Sequence, residues 1–574
     1  MEKKTIVGTG GELLMHQLVA QGVEHAFMNT GSAEAGFYDA FLTVPGVQPI
    51  LLLAESLVLS AADGYAKASG RTAFVNVHLA AGTRQGSGQL QNAWFDGTPM
   101  VVTAAMKDSG SFGDHNTVAS SAGFSQTAAI ADITKKRWEV TDARGIPMAT
   151  RRAFKEAMTL PTGPVYLALS TAALDAKGVA GTIQAARPLE MAQVPNGTTI
   201  ENIHAALLNA ERPLLLVGPD VQAAGAQREL LALSENYALP TAVGYFDYGG
   251  FPLKHPHYIG MIDDLPDRGY DVVCCVGYRQ NTRANPADEK FTDAGTIIAI
   301  GHDPAMMGNT FALDLDVWGD VRHTLTALNA LWTAEQAKLP HINKRKQVLA
   351  AQSRARLALQ REQALRLAKD IPIHPVLLGD SMARNLAKNT LLVSENFRGC
   401  DDLLPFGYGE NDWRMIRTYG GGLGHGVGAA VGAQLGAPDR PVVLSLGDGA
   451  VMYSASGFWT MARYSLPILT IIWNNLQYQT VRANFAAWGG SFKSQNRYPE
   501  TFLGDPEIDF VMLAKAQGIE GMLVREPGEL DAAMRRGRSA QAAGQPFVLD
   551  VRIANVGAGA DQSWYMRYAL PTAH

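Results

Sequence analysis

Gly447-Asp-Gly449 and Asn474-Asn475 each follow an apolar run that reads as a strand, Pro441-Val-Val-Leu-Ser-Leu446 and Pro467-Ile-Leu-Thr-Ile-Ile472. Asp448 and Asn475 stand 475 − 448 = 27 residues apart. That interval holds one helix and a return strand, so both ends reach the same edge of a parallel sheet. Mg²⁺ takes oxygen ligands in an octahedron and usually shares them with phosphates. Asp448 offers a carboxylate, Asn475 an amide carbonyl and Gln477 a backbone carbonyl. Gly449 lets the backbone approach a phosphate at a helix start. A Gly-Asp-Gly alone is mostly a tight turn. The second motif at this spacing, after a second strand, turns the pair into a candidate metal and diphosphate site.

The elements that must carry these residues are strands alternating with helices, which implies parallel sheets covered on both faces. Residues 11–27 place Leu13, Leu14, Leu18, Val19, Val23 and Phe27 at helical spacing. Strand-like runs follow at Leu51-Leu-Leu-Ala54, Thr72-Ala-Phe-Val-Asn-Val-His78, Met100–Ala105 and Pro164–Leu169. Glu55 opens a helix through Ala66, and Ala80-Ala-Gly-Thr83 reads as the end of the strand before it. Residues 180–200 are Gly-, Pro- and polar-rich, as in a linker. A second unit has strands at Pro213–Val217, Val272–Val276 and Thr296–Ile300. A charged helix over 335–370 leads to a third unit, with Thr390–Ser394, the Gly-rich Gly420–Gly426, the two metal-motif strands and a last strand at Pro546–Val551. The expected architecture is three doubly wound α/β domains, at 1–180, 190–335 and 371–555. A tail over 556–574, with Trp564, Tyr565 and Tyr568, is a candidate lid. The first and third units look like similar sheets.

A chain of 574 residues exceeds one compact core, and 47% hydrophobic with 18% charged residues fits a globular protein. A net charge of −5 gives no broad attraction to nucleic acid or anionic membrane. Cys274, Cys275 and Cys400 lack ligand spacing, so neither a disulfide framework nor a zinc site is expected. No apolar run reaches the roughly 18 residues of a membrane span. With no apolar signal core at the start, the expectation is a cytoplasmic protein.

The metal motif resembles the thiamine-diphosphate signature, and the resemblance extends over most of the chain. It is nearest to the benzoylformate decarboxylase group within the decarboxylase and acetolactate synthase superfamily. That group shares Asn76-Val-His-Leu-Ala-Ala-Gly-Thr83 and Gly421-Gly-Leu-Gly424. The resemblance implies a pyrimidine-binding, a middle and a diphosphate-binding domain, and thiamine diphosphate with Mg²⁺ as cofactors. Glu55 then is the glutamate that hydrogen-bonds the aminopyrimidine and favours its imino tautomer, from which the cofactor's carbon nucleophile forms. A helix-start acid is also stabilised by the dipole. The interval 78 − 55 = 23 to His78 is the family's. Leu423 is the apolar wedge that bends the cofactor, 448 − 423 = 25 residues before the metal aspartate. The implied cofactor-binding set is Glu55, Asn396, Gly421, Leu423, Gly447, Asp448, Gly449, Ala450, Asn475 and Tyr478, with Asp448, Asn475 and Gln477 on the metal. His78 resembles a catalytic histidine that holds a carboxylate and shuttles protons, although a lone strand-end histidine is more often structural. Ser32, in Asn29-Thr-Gly-Ser32, resembles a substrate-binding serine.

Departures from the group bear on the substrate. Its second catalytic histidine lies in the middle domain, where Gly277-Tyr-Arg-Gln-Asn-Thr-Arg283 has none. Asn281 or Arg283 takes that place, or the role is absent. His115 is a third catalytic candidate, and His425 either approaches the cofactor or fills space. Thr480, Val481 and Asn484 are expected to make the pocket more polar. The expected activity is decarboxylation of a 2-oxo acid to an aldehyde, with carboligation as a side activity. The alternatives are a 2-hydroxyacyl-CoA or aldehyde lyase, and an acetolactate-synthase-like transferase. The expected partners are a small 2-oxo acid, aldehyde or acyl-CoA, and a second copy of the chain. That copy makes a homodimer or homotetramer with sites between subunits.

Overall fold

The computed structural model describes residues 3–555 apart from 109–117, 121–124, 190–192, 194, 245–249, 263–264, 267, 280–290, 292, 310–311, 397–402 and 419. His115, Asn281, Arg283, Cys400 and the tail with Trp564, Tyr565 and Tyr568 lie outside the described residues.

Three six-stranded sheets, every neighbouring pair of strands parallel, form the body of the chain. Their central strands are continuous apolar runs because helices cover both faces. Pro213–Val217, Val272–Val276 and Leu469–Asn474 are buried at every residue. The first sheet runs Gln48–Leu51, His25–Met28, Ala73–Val77, Met100–Met106, Pro164–Ser170, Lys136–Val140. The third runs Arg414–Ile416, Leu391–Glu395, Val442–Gly447, Leu469–Asn474, Phe547–Arg552, Glu520–Val524. Numbered along the chain, both have the order 2-1-3-4-6-5, so the likeness read in the sequence is a shared topology. The middle sheet, Tyr258–Met261, Thr241–Val243, Pro213–Val217, Val272–Val276, Thr296–Gly301, Leu315–Trp318, has the order 3-2-1-4-5-6.

In both outer sheets the strand order reverses between the first and third strands. Ligands in such sheets bind beyond the carboxyl ends of the strands at that point. Asn29–Ser32 and His78 follow those two strands in the first sheet, and Asn396 and Asp448 follow them in the third. One piece of topology therefore places both sets of candidate residues.

Two local readings change. Ala80–Thr83 belongs to the helix Leu79–Asp96, not to a strand end. The linker reading over 180–200 gives way at both ends. Val179–Ile183 pairs antiparallel with Lys4–Gly8, and Asn196 caps a helix that starts at Gly197. The charged helix spans Pro340–Arg366. Its Arg345 donates to the carbonyls of Tyr237 and Ala238, fastening it to the middle domain.

The first and third units meet through a pair of helices, Glu55–Ser69 and His425–Gly436, that hold equivalent places in the two sheets. Their backbones touch. A Cβ on Gly432 would sit 1.7 Å from the Ala61 carbonyl oxygen, and one on Gly64 2.0 Å from that of Ala429. A buried ionic chain crosses this contact. His425 Nε2 lies 2.7 Å from Asp63 Oδ2, and Lys67 Nζ is 2.7 Å from the same carboxylate. Burial alone would raise the Asp63 carboxyl, but Lys67 and His425 outweigh it and hold it well below the usual range.

Candidate functional site

The metal motif folds as one turn. The ladder pairs Gly447 with Trp473, so Asp448 and Asn474–Asn475 emerge side by side at the same sheet edge. Asp448 is 5% exposed. Its Oδ1 accepts the Gly449 N–H at 2.8 Å, while Oδ2 is buried without a hydrogen-bond partner. Burial pushes its carboxyl up to about 6; the N–H groups of Leu476 and Gln477 favour the ionised form without closing a bond to Oδ2. An orphaned, desolvated carboxylate oxygen calls for a cation. Asn475 Oδ1 accepts the Gln477 N–H at 3.0 Å, drawing the turn tight. Gly449 has no alternative, because a Cβ there would lie 2.4 Å from the Tyr478 ring. Asn396 donates to Ser445 at 2.7 Å next to this edge. No cluster of three His, Cys, Asp or Glu side chains able to hold a metal occurs among the described residues. The turn needs none, since one carboxylate, one amide oxygen and one backbone carbonyl beside a diphosphate suit Mg²⁺.

The glycine-rich loop is gripped from the first domain. Asn92 accepts the Gly422 N–H and donates to the Gly422 carbonyl, both at 2.9 Å, and Gln89 donates to the Leu423 carbonyl at 2.9 Å. Gly421 and Gly424 take φ of +71° and +87°, which bends the loop outward. Leu423 is 40% exposed at its tip. Glu395, half-buried, accepts the N–H groups of Gly424, His425 and Gly426. His425 is fully buried and spends Nε2 on Asp63. Of the two roles open to it in the sequence, this geometry fits the one that fills space.

The remaining candidates gather around the turn Asn29–Ser32. Glu55 is 8% exposed and accepts a hydrogen bond from Asn29 Nδ2 at 3.3 Å. His78 joins the strand Ala73–Val77 to the helix Leu79–Asp96 as its N-cap, with its ring against Gly31, where a Cβ would lie 2.0 Å from Nδ1. Ser32 is exposed next to it. Sequence reasoning missed Glu34. This carboxylate is fully buried. Oε1 accepts the N–H groups of Leu79 and Ala105, and Oε2 meets His78 Nδ1 at 2.7 Å. A carboxylate oxygen accepts, so this contact fits the tautomer with hydrogen on Nδ1 and Nε2 left free. The only signal was an acid two residues after Ser32. Thr480, Val481 and Asn484 lie on the helix Gln479–Trp488, which leaves the metal turn directly.

A separate cavity of about 480 Å³ lies where the three domains meet, lined by Lys67, Asp96, Gln222, Arg279, Met415 and Arg417 among others. Two of its cations are matched by carboxylates, Arg279 by Asp220 and Lys67 by Asp63 and Asp96, and Arg417 donates to the Asn396 carbonyl. It contains none of the candidate site residues.

The chain belongs to the thiamine pyrophosphate enzyme family. The family's N-terminal TPP binding domain matches residues 8–130, its central domain 200–328 and its C-terminal TPP binding domain 407–551. The chain is 29% identical to a benzoylformate decarboxylase of Pseudomonas aeruginosa, covering 96% of this chain and 98% of the relative. It is 25% identical to the acetolactate synthase isozyme 3 large subunit of Escherichia coli, covering 92% and 91%. Two solved structures share the fold. A thiamine diphosphate-dependent 4-hydroxybenzoylformate decarboxylase of Rhodococcus jostii matches at TM-score 0.77 and 24% identity, over 95% of this chain and 99% of that one. The benzoylformate decarboxylase of Polynucleobacter necessarius matches at 0.77 and 22%, over 96% and 99%.

Proposed function

We propose that this enzyme decarboxylates an aromatic 2-oxo acid of the benzoylformate type to an aldehyde, using thiamine diphosphate and Mg²⁺. The observation that carries the reading is the Glu34–His78 pair beside Ser32 and Glu55. It is a proton-transfer group of fixed tautomer next to a hydroxyl suited to a carboxylate. The relative named benzoylformate decarboxylase, matched along nearly the whole chain, supports the same choice.

Bound thiamine diphosphate supplies a carbon nucleophile and an electron sink. Asp448, Asn475 and the Gln477 carbonyl hold Mg²⁺, with Gly447, Gly449, Ala450, Asn396 and Tyr478 around the diphosphate. Leu423 and Gly421 set the shape of the bound cofactor. Glu55 hydrogen-bonds the pyrimidine ring from a buried position. Ser32 and His78 hold the substrate carboxylate, and His78 Nε2, once it has taken a proton from solvent, delivers it to the carbon that the leaving CO₂ vacates. Glu34 keeps the imidazole oriented and stabilises its charged form. Thr480, Val481 and Asn484 face the substrate. His115 belongs to the same proposal as a further catalytic group, and the tail after 555 as a lid.

The sites form between two copies of the chain, Glu55 from one and Asp448 from the other. Support comes from half-exposed apolar side chains of the third domain: Leu423, Met452, Tyr453, Val481, Trp488 and Phe502. Exposed apolar side chains suit burial against a partner.

The test is a product assay on protein reconstituted with thiamine diphosphate and Mg²⁺, with Glu55→Ala as the blank. Benzoylformate, pyruvate, branched 2-oxo acids and a 2-hydroxyacyl-CoA are the substrates. Release of CO₂ and an aromatic aldehyde, absent in the variant, supports the reading. Acetolactate from pyruvate would move the enzyme to the transferases, and thioester cleavage without CO₂ to the other carbon–carbon lyases.

A further inference from the structure

Asp550 lies one strand away from the metal turn, on Phe547–Arg552, which pairs in parallel with Leu469–Asn474. It is 2% exposed, and Asn474 is fully buried. Asn474 Nδ2 donates to Asp550 Oδ1 at 2.8 Å. Asn474 Oδ1 accepts the Leu476 N–H at 3.2 Å. Leu476 is a leucine at φ +58°, a left-handed conformation that a branched side chain adopts only where its surroundings enforce it. The three residues that follow Asn474 include both candidate ligands beyond Asp448, namely Asn475 and Gln477.

A side-chain amide can face either way, and its two ends are nearly isosteric. If the Asn474 amide turned over, its NH₂ would meet the Leu476 N–H and the strained turn would lose its acceptor. Asp550 Oδ1 presents an acceptor to the Asn474 NH₂, and that acceptor selects one orientation. We propose that Asp550 is a positioning residue for the metal turn. It fixes the Asn474 amide, which holds Leu476 left-handed and so sets Asn475 and Gln477 at the spacing a small octahedral cation demands. Mg²⁺ tolerates little deviation from that geometry, and partners behind metal ligands commonly change affinity by about 10- to 100-fold. The inference rests on the metal reading of Asp448, Asn475 and Gln477.

The experiment follows free Mn²⁺ by electron paramagnetic resonance as it titrates full-length protein saturated with thiamine diphosphate. Asp550→Asn keeps an acceptor, and its dissociation constant should stay within about threefold of the parent's, whereas Asp550→Leu should weaken binding about tenfold or more. Asn474→Ala should weaken it similarly, and the double variant should be no worse than Asn474→Ala alone, because the two act in series. Parent-like binding by Asp550→Leu overturns the proposal. So does Asp550→Asn as weak as the leucine variant, which would make charge the cause, and so does an additive double variant. Should the parent protein itself bind no Mn²⁺, the metal reading fails first. The Asn474→Ala arm reads the same route if the leucine variant does not fold.

Discussion

At the residue scale, the Glu34–His78 contact separates holding a proton from binding the cofactor. Glu34 touches His78 and two backbone N–H groups, and none of the cofactor candidates. Glu34→Gln removes the charge that steadies a protonated imidazole and lets Nδ1 face an NH₂. Turnover should fall by roughly a hundredfold, in the range of a lost acid–base group, with the thiamine diphosphate dissociation constant unchanged. Steady-state kinetics beside a cofactor titration reads both. A loss confined to cofactor affinity would contradict the assignment. Asp448 gives a prediction in pH. Its folded value of about 6 lies above the ordinary 3.8, so in cofactor-free protein its contribution to stability is complete below the unfolded value. That contribution is lost as pH rises through 6, by up to roughly 3 kcal/mol. A bound cation reverses the sign, because protons then compete with it. The rise in melting temperature produced by Mg²⁺ with thiamine diphosphate should therefore be larger at pH 7.5 than at pH 5.5. Calorimetry showing equal increments would refute a carboxylate ligand here. Asp448, Asn475, Glu55 and His78 were legible because each closes or follows an apolar run in a spaced motif. Glu34 and Asp550 were not. Their partners are 44 and 76 residues away in the chain, and only the fold brings them together.

At the element scale, the helix pair Glu55–Ser69 and His425–Gly436 decides whether the two outer domains can meet. Gly432→Val would drive branched carbon into a backbone contact of 1.7 Å. Overpacking usually costs about 1–3 kcal/mol; here the clash is with a carbonyl oxygen that cannot rotate away, so the cost should reach the upper end or beyond. A urea midpoint equal to that of the parent would show that the helices do not pack this way. Central strands were readable as unbroken apolar runs. The edge strands Lys136–Val140 and Glu520–Val524 were not, because their burial is partial, and Arg414–Ile416, though mostly buried, is only three residues long. Ala80–Thr83 was misread for a related reason. Small residues followed a strand without the periodic large apolar side chains that mark a helix. They lie in a helix where bulk would not fit, as at Gly82, whose Cβ would be 3.2 Å from Glu55.

At the scale of the whole molecule, the shared 2-1-3-4-6-5 order means that the first and third domains offer matching crevices, one with Glu55 and His78 and one with Asp448 and Asn475. A cofactor with a pyrimidine at one end and a diphosphate at the other needs one crevice of each kind. Which chain supplies which can be settled by mixing two dead variants, Glu55→Ala and Asp448→Ala. With sites between subunits, a mixed dimer has one site carrying both lesions and one carrying neither. Random exchange of subunits makes half the dimers mixed, so about a quarter of all sites regain both groups. With both groups drawn from one chain, every site keeps one lesion and the mixture stays as inactive as its parts. Activity near a quarter of the parent's, appearing only after the variants are unfolded and refolded together, establishes the shared site. Its absence, with mixed dimers verified by tagging one variant, assigns Glu55 and Asp448 to a single chain.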